Sequence, residues 1–386
     1  MIDHYDDREQ TQAKHFILKR YLQTLVFKWL SSGANELTYV DAFSGPWNSR
    51  AEDFADTSFM IAINVLKDAH AQFAAKGTPK KIHCCFVEKD SATFEKLQAA
   101  VKDHNSPDTG FHVVTLPGRF EDNVEAILDV IAQSFALIFI DPTGWTGYPY
   151  DKISPVLQHA PGEVLLNFMY DFFNRFVATD DPVIIASFDQ VLGGPGWKKR
   201  LNPSIAPGLA AEQLCKLELQ RIGRFRFVLS ATIEKTEADR PHFSLVYGTR
   251  NRAGLIAFRD VQVAAMKGHA ERKAAARDKR EVSRTGQGLL FSDSIASGAN
   301  ELAQRASGER RSAKALILEF ARRPIPSTFA AVVDEILQRY MLRETDVKNL
   351  CVDLAEEGKI AAPWKNEGLR KPRDSHVIEF MDTHAG

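Results

Sequence analysis

Apolar residues recur at the spacing of one helical face between residues 11 and 31 (Phe16, Ile17, Tyr21, Leu25, Trp29), and Gly33 follows as a stop signal. The spacing predicts a leading helix. Short apolar runs come next, at 37–43 (LTYVDAF), 81–87 (KIHCCFV), 111–116 (FHVVTL), 135–140 (FALIFI) and 163–168 (EVLLNF). Amphipathic stretches over 57–76, 90–103 and 119–133 separate the first four, and a short helix precedes the fifth. Strands so continuous in hydrophobicity leave no face for water, as a parallel sheet covered on both sides requires. A doubly wound α/β domain is therefore expected.

From 170 to 223 the pattern is irregular and aromatic, with a loop at GGPGW (193–197), and predicts a largely helical insertion. FRFVLSATIE (225–234) and HFSLVYGT (242–249) are close enough to form an antiparallel hairpin at the sheet edge. Phe258 to Arg284 predicts a basic helix carrying Lys267, Arg272, Lys273, Arg277, Lys279, Arg280 and Arg284 against Glu271, Asp278 and Glu281. A stretch containing Gly and Ser up to 308 looks like a linker. Three short helices (312–323, 328–339, 344–357), then KIAAPW (359–364), a polar turn and SHVIEF (375–380), make the order of a winged helix. The expected domains are a Rossmann-like one over 1–265, the basic helix and linker over 266–308, and a winged helix over 309–386.

A chain of 386 residues is long enough for two or three domains with real cores. With 44% hydrophobic and 26% charged residues, and no apolar run near the roughly 18 residues of a bilayer helix, no membrane span is expected. The opening MIDHYDDREQ is acidic where an export signal would be basic and then apolar, so a cytoplasmic location is expected. Cys84, Cys85, Cys215 and Cys351 have no CxxC spacing, which argues against a disulfide framework or thiolate metal site. HExxH, GxSxG and P-loop patterns are absent, so metal-dependent and serine hydrolysis have no sequence support.

The first strand runs into Asp41-Ala42-Phe43-Ser44-Gly45-Pro46-Trp47, at the carboxyl edge where open parallel sheets bind ligands. This string resembles the D-x-F-x-G-x-G signature of S-adenosylmethionine-dependent nucleic-acid methyltransferases, with Trp47 in place of the second Gly. A tight strand-to-helix turn without ligand is the alternative. Glu88 ends the second strand, where a cofactor ribose presents its hydroxyls. About 45 residues separate it from Asp41, against the ~20 of the dinucleotide fingerprint, and G-x-G-x-x-G is missing, so NAD is the poorer ligand. After the third strand, Phe120 is placed to stack on an adenine and Asp122 to accept its amino hydrogens, although 118–121 also suits a helix start.

The fourth strand ends in Asp141-Pro142-Thr143-Gly144-Trp145, which resembles the D-P-P-[YFW] motif that holds a flipped base in amino-methyltransferases. An exocyclic amino nitrogen is a weak nucleophile because its lone pair is delocalised into the ring. Hydrogen bonds from its protons to a carboxylate and a backbone carbonyl localise that pair toward an electrophilic methyl group, while the aromatic ring stacks on the base. Asn167, Asn174 and Arg175 follow the fifth strand as candidates for a substrate cleft, among aromatic positions that equally suit a core. His15, near Lys14 and Lys19, is expected to be a surface histidine.

In the C-terminal domain Arg343 and Lys348 mark the third helix, and Lys365, Arg370, Lys371 and Arg373 crowd the wing. This charge predicts DNA or RNA as a partner, with a docking module as the alternative because Asp346, Asp353, Glu356 and Glu357 share the helix. Taken in order, YVDAFSGPW, Ser58 within DTSFMIAINVL, FVEKD, RFEDN, IFIDPTGW, LLNFMYDFFNR and YGTRNRAGLIAFRD, with the winged-helix tail, resemble the three-Cys-motif partner protein family over about residues 10–380. The resemblance implies a Rossmann-like class I methyltransferase fold with a helical insertion and a C-terminal winged helix. It also implies a neighbouring gene product of radical S-adenosylmethionine type that carries the three cysteines. Two functions are then expected in parallel. One is S-adenosylmethionine-dependent methylation of a base; the other is a non-catalytic nucleic-acid-binding adaptor for the three-cysteine protein, in DNA repair.

Overall fold

The structure is a computed structural model that describes residues 9–46, 49–234, 241–285 and 291–381. The leading periodicity forms α1 (Glu9–Ser31), and Gly33 beyond it adopts φ +100, a left-handed turn in which a side chain is strained. Strands and helices then alternate: β1 (Glu36–Asp41), α2 (Ser58–Ala75), β2 (Lys81–Glu88), α3 (Ser91–Val101), β3 (Phe111–Pro117), α4 (Val124–Ile131), β4 (Phe135–Ile140), α5 (Tyr150–Gln158) and β5 (Gly162–Phe168). Local chemistry fixes the helix starts. Thr57 caps α2 by accepting from Met60 N–H, and Asp90 caps α3 by accepting from Thr93 N–H.

The insertion holds α6 (Tyr170–Phe176), α7 (Pro182–Asp189), α8 (Trp197–Arg200) and α9 (Pro207–Gly223), and is helical as expected. β6 (Phe227–Glu234) and β7 (Pro241–Thr249) form the expected antiparallel hairpin. The seven strands lie in the order β3-β2-β1-β4-β5-β7-β6, parallel except for β7, which runs antiparallel to both its neighbours. This is a mixed, mostly parallel Rossmann-like sheet. β4 is buried at every position, whereas edge strand β6 alternates between buried and half-buried, so the hydrophobic pattern of each strand records its place in the sheet. The order reverses between β1 and β4, and ligand crevices in such sheets form outside the carboxyl ends at that point.

Arg250 ties the end of this unit together. Its guanidinium donates to the carbonyls of Leu157, His159, Gly162 and Gly223 and stacks over the Phe225 ring at 4.5 Å. Four main-chain acceptors from two stretches of the chain, 157–162 and 223, are satisfied by one side chain.

The chain divides into compact units at Asn251/Arg252, earlier than the expected boundary at 265. The second unit begins with α10 (Arg252–Thr285), which includes the expected basic helix, followed by α11 (Phe291–Ala321). From 291 onward the expected linker is helical: its two Ser-Gly pairs (297–298 and 307–308) stand among Ala, Leu, Glu and Arg, which carry the helix across them. The side chains of Arg272, Lys273, Arg277, Lys279, Arg280 and Arg284 lie outside the described residues. β8 (Ser327–Thr328), α12 (Phe329–Arg339), α13 (Glu344–Glu356), α14 (Pro363–Asn366) and β9 (Val377–Ile378) complete the unit. β8 pairs with β9, and Ile360 bridges Phe380. Only Ile360 of KIAAPW is strand-like, because Pro363 has no N–H to donate and starts the single turn α14. Arg252 ion-pairs with Asp334 at 2.6 Å and Asp374 at 2.8 Å, and Trp364 is fully buried. No helix among the described residues is long and apolar enough to cross a membrane.

Candidate functional site

Asp41 ends β1, opposite Phe86 of β2 and Phe139 of β4. On the other side of the crevice the β4–β5 register closes with Ile140 opposite Leu166, so the next residues on both strands are Asp141 and Asn167. A cavity of about 710 Å³ opens at this edge, lined by Lys14, Phe43, Gly45, Ser58, Asp141 and Asn167 among others. The N-terminus of α2 meets it at Thr57 and Ser58.

Asp41 is fully buried and accepts from Phe43 N–H at 3.1 Å, while its Oδ2 has no partner in hydrogen-bonding geometry. Burial raises its carboxyl from the usual 3.8 to about 6. Ser58, Phe43 N–H and Ser44 oppose that rise by favouring the charged form, and the neighbouring Asp141 adds to it. Ser44 folds its loop back, donating from Oγ to Asp41 O at 2.8 Å and from N–H to Val87 O at 2.9 Å. Trp47 lies outside the described residues.

Asp141 is held from two sides. Lys14 Nζ of α1 lies 2.6 Å from Oδ2, and Asn167 Nδ2 donates to Oδ1 at 2.6 Å. Lys14 also faces the Phe243 ring of β7 at 5.8 Å. Pro142 and Thr143 line the cavity beside Asp141. His15, expected at the surface, is 8% exposed and lines the cavity as well, because α1 packs this face inward. Asn174 and Arg175 are exposed and lie outside the cavity wall.

Of the expected site residues, Asp41, Ser44, Glu88, Phe120, Asp122 and Trp145 lie off the cavity wall. Trp145 turns into the insertion, among Phe172, Phe176 and Phe188 at centroid distances of 5.1 to 5.6 Å, and donates from Nε1 to Ser187 Oγ at 2.7 Å. Its ring is therefore engaged in packing and does not line the cavity, since an aromatic cluster shields more of it than the sheet edge would. Phe120 is 1% exposed, in the core against Phe43 at 6.3 Å, and Asp122 is exposed on a one-turn helix. Glu88 is buried at the tip of β2, where Oε1 accepts from Asp90 N–H at 2.7 Å.

Sequence reasoning did not assign Arg50, Asp56 or Phe243 to the site. Asp56 is 4% exposed and accepts from Ser49 Oγ at 2.5 Å and Arg50 N–H at 3.0 Å, fixing the loop between β1 and α2. The residue types of that loop, a run of Ser, Arg and Asp before a Thr cap, were the available signal. Burial pushes the thiols of Cys85, Cys215 and Cys351 up to about 12, so they are not poised as nucleophiles.

In the second unit, Arg343 at the N-cap of α13 pairs with Asp346 at 3.2 Å, and Lys348 within the helix pairs with Glu344 at 2.9 Å. Lys365, Arg370, Lys371 and Arg373 are exposed, and no ion pair engages their side chains among the described residues. No protein-family model matches the chain, and no curated protein matches it either.

Proposed function

We propose that the protein binds S-adenosylmethionine at the carboxyl edge of the sheet and methylates the exocyclic amino group of a base in DNA or RNA. One observation carries this: acids end β1 and β2 (Asp41, Glu88) and directly follow β4 (Asp141), around the point where the strand order reverses. The cofactor supplies a methyl group bonded to positively charged sulfur. Asp41, buried at the tip of β1, suits the α-ammonium, and Glu88 suits the ribose hydroxyls. Phe43, Ser44 and Gly45 form the loop against which the cofactor lies. Phe120 and Asp122 have no part in this proposal, since the first is core and the second faces solvent. The second unit, taken as a winged helix, would hold the polymer through Lys365, Arg370, Lys371 and Arg373.

Calorimetric titration with S-adenosylmethionine and S-adenosylhomocysteine tests this. Micromolar binding, about -8 kcal/mol, that is lost in Glu88→Ala supports it. No binding of either compound overturns it in favour of the second function, a non-catalytic nucleic-acid-binding adaptor for a radical S-adenosylmethionine-type partner. The adaptor has its own support: Lys14 occupies Asp141, and Trp145 is packed away, so the two groups expected to hold a base are engaged within the protein. A pull-down with the three-cysteine protein checks it directly.

A further inference from the structure

Both oxygens of Asp141 already receive a donor at 2.6 Å, one from Lys14 and one from Asn167. A target amino group arriving there would compete with a charged, short contact. Asn167 is in a different condition. It is 2% exposed and lines the cavity, and its Oδ1 is buried without a hydrogen-bond partner. Its amide has only one sensible orientation, because turning it over would set its carbonyl oxygen against the Asp141 carboxylate. The ion pair with Lys14 thus fixes Asp141, Asp141 fixes the Asn167 amide, and the amide carbonyl is left as an acceptor. A buried acceptor without a donor is costly and calls for a partner from outside the chain.

We infer that the Asn167 side-chain carbonyl, and not the Asp141 carboxylate, is the acceptor for the amino hydrogens of the target base; this rests on the methyl-transfer function proposed above. The charge balance suits it. Lys14 neutralises Asp141, so the arriving group meets a neutral carbonyl beside a closed ion pair, a setting that favours an uncharged aromatic amine over an ammonium. With one amino hydrogen held by Asn167 Oδ1, the nitrogen lone pair is localised for attack. A nitrogen–carbon bond to the methyl forms as the carbon–sulfur bond breaks, and its electron pair returns to sulfur to give the thioether. The nitrogen then releases one proton to solvent. Asp141 and Lys14 act through Asn167 as positioning residues.

The test uses S-adenosylmethionine with a labelled methyl group and pools of single-stranded DNA and RNA oligonucleotides containing all four bases, with calorimetric binding of S-adenosylmethionine measured on the same preparations. The expected result is transfer by the wild type, and for Asn167→Ala a loss of about 100-fold in kcat with unchanged cofactor affinity. Asn167→Asp should regain transfer as the pH is lowered, since a proton shared between the two carboxyls replaces the Nδ2 hydrogen; a purely structural role would not produce that profile. Wild-type transfer rates in Asn167→Ala would overturn the assignment of Asn167 and leave methyl transfer standing. A wild type that binds S-adenosylmethionine but labels neither pool would overturn it too, and a wild type that does not bind the cofactor would remove the underlying function as well.

Discussion

Lys14 Nζ lies 2.6 Å from Asp141 Oδ2 although 127 residues separate them in the chain. Both side chains are mostly buried, 13% and 14% exposed, so removing one partner strands the other's charge in a poorly solvated place. Lys14→Met is expected to destabilise the protein by about 3 kcal/mol in urea unfolding. Adding Asp141→Leu should restore part of that loss, because the double variant buries no unpaired charge. Strict additivity of the two single changes would show that the pair is not coupled.

Asp41 makes stability depend on pH. Its folded value of about 6 lies above the ordinary 3.8, so between them the folded state binds the proton more tightly than the unfolded chain. Its stabilising contribution is complete below 3.8 and is lost as pH rises through 6. Relative to Asp41→Asn, the wild type should lose about 3 kcal/mol across that window in unfolding titrations. A constant difference between the two proteins would place Asp41 in a better solvated setting.

Trp145 is packed for stability and not for a ligand. Trp145→Ala should cost about 3 kcal/mol in unfolding, while S-adenosylhomocysteine titrates the variant as it does the wild type. Trp145→Phe should recover most of the packing and none of the bond to Ser187. A loss of ligand binding without a loss of stability would return the ring to the cavity.

The sheet and its crevice were legible in the chain because strands buried on both faces announce themselves as unbroken apolar runs, and a strand's tip is simply its next residue. Asp41 and Asp141 are found that way. The Lys14 pairing is not, since no period or motif connects a position on α1 to the end of β4. Trp145 shows a further limit: spacing locates it after Asp141, but the direction of its ring is set by an aromatic cluster contributed by the insertion. No pattern in the chain marks the division at Asn251, because one helix runs from Arg252 across the boundary expected from charge.

The wing charges make a separate prediction. Replacing Lys365, Arg370, Lys371 and Arg373 together with Ala should reduce the log-log salt slope of nucleic-acid binding by about 3 to 4. Arg343→Ala and Lys348→Ala should change it little, because Asp346 and Glu344 already neutralise those cations. Equal effects in fluorescence titrations would favour α13 as a contact surface.

The Arg250 clamp bears on how this architecture can vary. One guanidinium holds the carbonyls on both sides of the turn into β5 and the carbonyl at the end of α9, so the insertion, which leaves the sheet at the carboxyl end of β5, is pinned on its return to that strand's amino end. A segment that leaves one end of a strand and is pinned on its return to the other behaves as a cassette. Its length and composition can drift at a closure cost that grows only logarithmically, while the crevice beside it keeps its shape.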